Sequence, residues 1–192
     1  MPDSAAHVHA SKRAYAGFFS SVSSFSLPVG EHVRPGSVRG YYIDLRVKST
    51  GPVWPPPGVP ESDLRLHVGA IQWALGSYER YLADEGEVWL HTVCRCADQL
   101  IDLQESSGPR AGGWVHLHPF DHTFALRPPW LSAMAQGEGA SLLVRLFLET
   151  GEERYAEAAR RALLPLRVDS DQGGVRATVG NLSFPEEYPT SP

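Results

Sequence analysis

Leu131-Ser132-Ala133-Met134-Ala135-Gln136-Gly137-Glu138-Gly139-Ala140-Ser141-Leu142-Leu143-Val144-Arg145-Leu146-Phe147 is the stretch whose reading decides the fold class. Leu131, Met134, Ala135, Leu142, Leu146 and Phe147 fall on one stripe of a helix, which turns once in about 3.6 residues. The break Thr150-Gly151-Glu152 ends that stripe. A second stripe follows in Tyr155, Ala158, Ala159, Ala162 and Leu163, so the segment predicts two helices joined by a tight turn.

The same layout stands upstream. Leu64, Val68, Ile71, Leu75, Tyr78 and Leu82 recur at three- and four-residue steps, and Trp89, Val93, Cys96, Leu100 and Leu103 resume the pattern after Asp84-Glu85-Gly86-Glu87. Two helical hairpins in sequence read as an internal repeat. Downstream, residues 174–181 alternate and end in the turn pair Gly180-Asn181, which predicts a short β-hairpin. Residues 40–47 alternate well enough for one short strand. Gly51 to Pro60 holds five prolines (Pro52, Pro55, Pro56, Pro57 and Pro60), which oppose helix and ladder pairing and predict an extended polyproline connector. The expected fold is mainly α, with helical hairpins and short β-strands or a β-hairpin in the connections. Residues 1–38 are expected to form an irregular arm, and 39–192 the helical domain.

A chain of 192 residues suffices for one domain with a substantial core. Its 18 Gly and 16 Pro point to long loops, where sites are often placed. A net charge of −5 argues against a nucleic-acid surface, and an anionic partner would need a locally basic cleft. Cys94 and Cys96 are two positions apart, which on a helix puts them on different faces; they are expected to be buried thiols, not a disulfide or metal pair. The first thirty residues lack the apolar core of a secretory signal, and no stretch is long enough to span a membrane. The expectation is an intracellular protein of the bacterial cytoplasm. There is no glycine-rich phosphate loop and no Ser-centred nucleophile elbow, so nucleotide chemistry and that class of hydrolase are not favoured.

Candidate chemistry concentrates in residues 112–124, a loop or short strand containing His116, His118, Asp121 and His122. A metal site would need three or four convergent ligands with supporting hydrogen bonds, which spacing alone does not supply. Exposed loop histidines are the plainer reading. Trp130 suits either a core anchor at the helix entry or a stacking surface for a sugar ring. Gln136 and Glu138 either face a cleft, with Met134 and Ala135 packed inward, or belong to a run of small residues that permits close helix packing.

The run from Pro129 to Gly139, together with Glu186-Glu187-Tyr188-Pro189-Thr190-Ser191-Pro192, resembles the C-terminal catalytic domain of the D-glucuronyl C5-epimerases. The resemblance implies conversion of D-glucuronate to L-iduronate units within a glycan of the heparosan kind, on an α/α toroid that is here incomplete. It also implies that the family sequence continues beyond Pro192, so a chain truncated at its C-terminus is expected. Inverting carbon 5 means removing a weakly acidic proton beside a carboxylate and returning one to the opposite ring face, which requires two groups on opposite sides. The resemblance places Tyr188 among the proton-transfer residues, Glu187 as its acidic neighbour, and His118, Pro119, Phe120 and Asp121 where substrate is contacted. No cofactor or metal is expected; the expected partner is a hexuronate-containing polysaccharide, with neither nucleic acid nor membrane. The alternative is a non-catalytic carbohydrate-binding or truncated remnant domain, whose bared helix faces would favour self-association.

Overall fold

The computed structural model describes residues 28–58, 66–121 and 125–189. Among the described residues four helices dominate: α1 (His67–Leu82), α2 (Glu87–Asp102), α3 (Ala133–Thr150) and α4 (Glu153–Ala162). Between α2 and α3 lie β1 (Phe120–Asp121) and β2 (Ala125–Leu126), and after α4 come β3 (Arg176–Val179) and β4 (Leu182–Pro185). The fold is mainly α, as the periodicity requires. The chain divides into two compact units, one ending at Val93 and one beginning at Cys94, so the division falls inside α2. Of the arm expected over residues 1–38, only 28–38 are described; Leu64 and Pro60 also lie outside the described residues.

In the first unit α1 is buried nearly all round. Ala70, Ile71, Trp73, Ala74, Leu75 and Tyr78 are each at most 4% exposed, so the helix serves as a core element and not merely as one face of a core. Gly76 sits against the backbone carbonyl of Leu45, where a side chain would collide. Beside it the Ser77 and Ser49 hydroxyls bond at 2.7 Å, which satisfies two buried polar groups together.

The strand expected over residues 40–47 does not form. A single bridge joins Val29 to Ile43, and Arg46–Lys48 winds into a 3-10 turn. The cause is local: Asp44 Oδ1 accepts from the Arg46 backbone N–H at 3.0 Å, and the Arg46 guanidinium clamps the same carboxylate at 2.6–3.1 Å. This side-chain-to-backbone bond two residues on turns the chain out of an extended path. Nor do residues 51–58 run straight. They follow bends and a turn that bring Trp54 into the core, its ring 4.8 Å from that of Trp73.

In the second unit α3 and α4 pack as the predicted hairpin. The Ser132 hydroxyl caps α3 by accepting from the Ala135 N–H at 3.2 Å, and Gly151 ends it in the left-handed conformation. Ala135, Leu142, Leu143 and Leu146 of α3 and Tyr155, Ala158, Ala159 and Ala162 of α4 are all buried. Met134, expected to point inward, is exposed, and Gln136 takes the interior place. With its amide oriented so that both ends are satisfied, Gln136 donates to the Ala162 carbonyl at 3.0 Å and accepts from the Trp114 backbone N–H at 3.1 Å. Gln104 ties the same region together, donating to the carbonyls of Gly112 (3.0 Å) and Ala158 (2.9 Å). Cys96 is buried and Cys94 partly so, and neither is in a disulfide, as their spacing predicts. Strands β3 and β4 form the expected hairpin around Gly180-Asn181, with Val179 opposite Leu182.

Candidate active site

Trp130 organises the candidate site. Its backbone exchanges two hydrogen bonds with His116 (2.8 and 3.2 Å), and the two rings stack at 3.9 Å with only 10° between their planes. The indole N–H then donates to the His118 carbonyl at 3.1 Å, which holds the start of the following strand. In β1, Phe120 pairs with Leu126 and Asp121 with Ala125. The Phe120 ring lies 5.8 Å from Trp130 and 5.9 Å from Tyr188, so His116, Trp130, Phe120 and Tyr188 form one continuous aromatic row. Such offset stacks favour fixed ring orientations.

Tyr188 is placed by its own backbone neighbourhood. After β4 the chain is pinned at Glu186, whose N–H donates to the Val175 carbonyl (2.7 Å) and whose carbonyl accepts from Ala133 at the start of α3 (3.1 Å). The motif beginning at Glu186 is thereby fastened to the first turn of the helix that carries the other motif. Tyr188 is half-buried, and its phenol is pushed up to about 12, first by burial and then by the hydrogen bond and negative charge of Glu187. Both causes oppose the phenolate. At neutral pH the Tyr188 phenol is protonated.

Of the residues singled out from the sequence, Phe120, Glu187 and Tyr188 come together, while His118 and Pro119 are exposed on the approach to β1. His122 lies outside the described residues, and among those described no group of three or more His, Cys, Asp or Glu side chains is arranged to hold a metal ion. Trp130 is only 6% exposed and serves as the core anchor. Glu138 is buried too, and the Gln136 amide is spent on backbone partners, so that amide bonds within the fold and not into a cleft. His116 was not singled out as a structural element by its spacing. The signal was its place fourteen residues before an equally aromatic partner, across a segment able to fold back on itself.

Among the described residues no helix is long and apolar enough to cross a membrane. The family described as D-glucuronyl C5-epimerase C-terminus matches residues 109–192, which contain every element of the aromatic row. A D-glucuronyl C5-epimerase of Caenorhabditis elegans is 39% identical over 142 residues, covering 69% of this chain and 22% of that protein. The matched part is therefore a minor fraction of that relative's length. The relative comes from an animal and lends no support to the expected bacterial cytoplasmic location.

Proposed function

Because the chain belongs to the D-glucuronyl C5-epimerase family through its C-terminal domain, we propose that it inverts carbon 5 of glucuronate units in a heparosan-like polysaccharide. The observation that supports this reading is the half-buried Tyr188 ring, stacked on Phe120 with Glu187 beside its phenol, which burial and Glu187 both raise. In this reading Tyr188 acts as an acid. A base on the other ring face takes the carbon 5 proton, its electron pair passes into the adjacent carboxylate, and Tyr188 returns a proton to carbon 5 from its own side. Glu187 accepts the phenol's hydrogen bond and raises its titration further above neutrality. His118, Pro119, Phe120 and Asp121 contact the sugar along the edge of β1. The helical hairpins over residues 39–192 are then part of a larger α/α toroid, preceded by an arm over 1–38.

The test is proton exchange at carbon 5. The chain is incubated with heparosan in deuterated water, and deuterium uptake and iduronate signals are followed by NMR. Exchange that falls at least about a hundredfold in Tyr188→Phe supports the reading, since acid–base groups typically contribute that much or more. Exchange at the wild-type rate in that variant rules out Tyr188 as a proton-transfer residue.

A further inference from the structure

In the second unit, the peptide between Val175 and Arg176 is bonded on both sides. Its N–H, that of Arg176, donates to the Val168 carbonyl at 3.0 Å, and its C=O, that of Val175, accepts from the Glu186 N–H at 2.7 Å. Three stretches of chain are thereby laced together: the bracket over 165–174, the start of β3 and the segment just after β4. The bracket is stiff for local reasons. The Asp169 carbonyl accepts from the Gln172 and Gly174 N–H groups (2.9 and 3.0 Å), and Gly174 lies so close to the Val168 carbonyl that a Cβ would collide.

A side-chain pair reinforces the same peptide. Arg176 lies beside Asp169 as a parallel bridge neighbour, and its Nε donates to Asp169 Oδ1 at 2.6 Å. That bond holds the Asp169 carboxyl below the usual carboxylate range, so both groups are charged at neutral pH. Across the hairpin Arg176 stands opposite Pro185, and Glu186, Glu187 and Tyr188 follow directly. All four residues of β4 are exposed. An isolated two-stranded hairpin is marginal in water, so the attachments at its base weigh heavily on where β4 ends.

We propose that the Asp169–Arg176 pair is an electrostatic latch that positions Tyr188 against Phe120 and makes that placement sensitive to ionic strength. The pair acts through the backbone: it steadies the Val175–Arg176 peptide, that peptide holds Glu186, and Glu186 stands two residues before the phenol. Its side chains are 40% and 38% exposed, so salt reaches them. The screening length falls from about 10 Å at 0.1 M to about 3 Å at 1 M. The latch itself rests on this geometry; any effect on carbon 5 chemistry rests on the proposed function above.

The test is amide hydrogen exchange by NMR on the full chain. The Glu186 N–H is the probe, and the Gly151 N–H, which closes α3 on the Phe147 carbonyl, is the control. Arg176→Ala, Asp169→Asn and the double variant are compared with the wild type at low salt and at 1 M NaCl, and melting curves establish that each is folded. Glu186 exchange should rise about threefold in either single variant, no further in the double variant, and to a similar level in the wild type at 1 M salt. Arg176→Lys, which keeps the charge, should restore most of the protection, and Gly151 should not respond. In Arg176→Ala the phenol midpoint should fall from about 12 towards 10.0, read by absorbance with Tyr188→Phe as background. Unchanged Glu186 exchange, effects that add in the double variant, or a wild type indifferent to salt overturns the latch. Faster Glu186 exchange with a fixed phenol midpoint overturns its hold on Tyr188. Carbon 5 exchange keeps the two readings apart: the Glu186 and Tyr188 effects without it sink the epimerase reading alone, and carbon 5 exchange with neither effect sinks the latch alone.

Discussion

Phe120 stacks on Tyr188 with ring centroids 5.9 Å apart and 28° between the planes, and this contact joins the loop before α3 to the segment after β4. Burial is the first cause of the raised Tyr188 phenol, and Phe120 supplies part of that cover. Replacing Phe120 by Ala should therefore move the Tyr188 titration down from about 12 towards the ordinary phenol value of 10.0. Absorbance titration of the variant, with Tyr188→Phe as the background to subtract, reads the shift. An unmoved midpoint would mean that the stack contributes nothing to the burial of the hydroxyl.

Glu187→Gln acts on the second cause. The hydrogen bond and the negative charge of Glu187 both raise the phenol, so removing the charge lowers its titration midpoint while the stack remains. The predicted midpoint lies between the wild-type value of about 12 and 10.0. If exchange at carbon 5 is observed, the high-pH limb of its rate profile should move down in step, because the acid form is lost at lower pH. A profile that stays fixed while the Tyr188 absorbance shifts would separate that residue from the reaction.

The helices were legible because burial repeats at helical spacing: Ile71, Leu75 and Tyr78 in α1 and Leu142 and Leu146 in α3 all proved to be core residues. The reversal of Met134 and Gln136 was not legible. A pattern of apolar residues cannot register that a buried amide has the Ala162 carbonyl and the Trp114 N–H waiting for it. Residues 40–47 alternate like a strand, but alternation is blind to the Asp44–Arg46 clamp that turns the chain. The site divides in the same way. Tyr188 and Glu187 stand out as a motif, whereas Phe120 and Tyr188, far apart in sequence, are united only by the fold.

Gln104 and Gln136 should be costly to remove. Gln104→Ala strands the buried Gly112 carbonyl, takes a second bond from the Ala158 carbonyl inside α4 and leaves Arg161 Nε without the acceptor it meets at 3.2 Å. Each buried polar group left unpaired costs about 1–3 kcal/mol. A loss of about 2 kcal/mol or more in urea unfolding is expected for either Gln→Ala change. A loss below about 0.5 kcal/mol, the range of ordinary surface changes, would mean that water replaces the amide.

Gly76→Ala sets two opposing effects against each other. Alanine is the better helix former by about 1 kcal/mol, which taken alone predicts a more stable α1. The added Cβ, however, meets the Leu45 carbonyl, a backbone group held in place by the 3-10 turn that follows it. Backbone cannot swing aside as a long side chain does, so the collision outweighs the propensity and the variant is destabilised. Thermal melting decides the sign, and a raised melting temperature would show that the Leu45 segment can yield.

Stability at alkaline pH follows from the groups whose proton the folded state holds more tightly. Burial raises the Cys94 and Cys96 thiols above 9.0, and it raises the Tyr155 phenol, together with its neighbours Cys94 and Asp98, well above 10.0. Tyr188 is raised in the same sense. Where pH exceeds the unfolded value of such a group but not its folded one, the unfolded chain binds fewer protons, so stability falls as pH rises. The contribution is complete below about pH 9, begins to be lost as the thiols of the unfolded chain ionise, and is lost faster above about pH 10 as its phenols follow. Denaturant unfolding at pH 8, 9, 10 and 11 should show that steepening. Tyr155→Phe, although it gives up the 3.0 Å bond to Asp98, should flatten the slope above pH 10, because the variant has no phenol there for the unfolded state to ionise. An unchanged slope in that variant would assign the alkaline loss to the other groups.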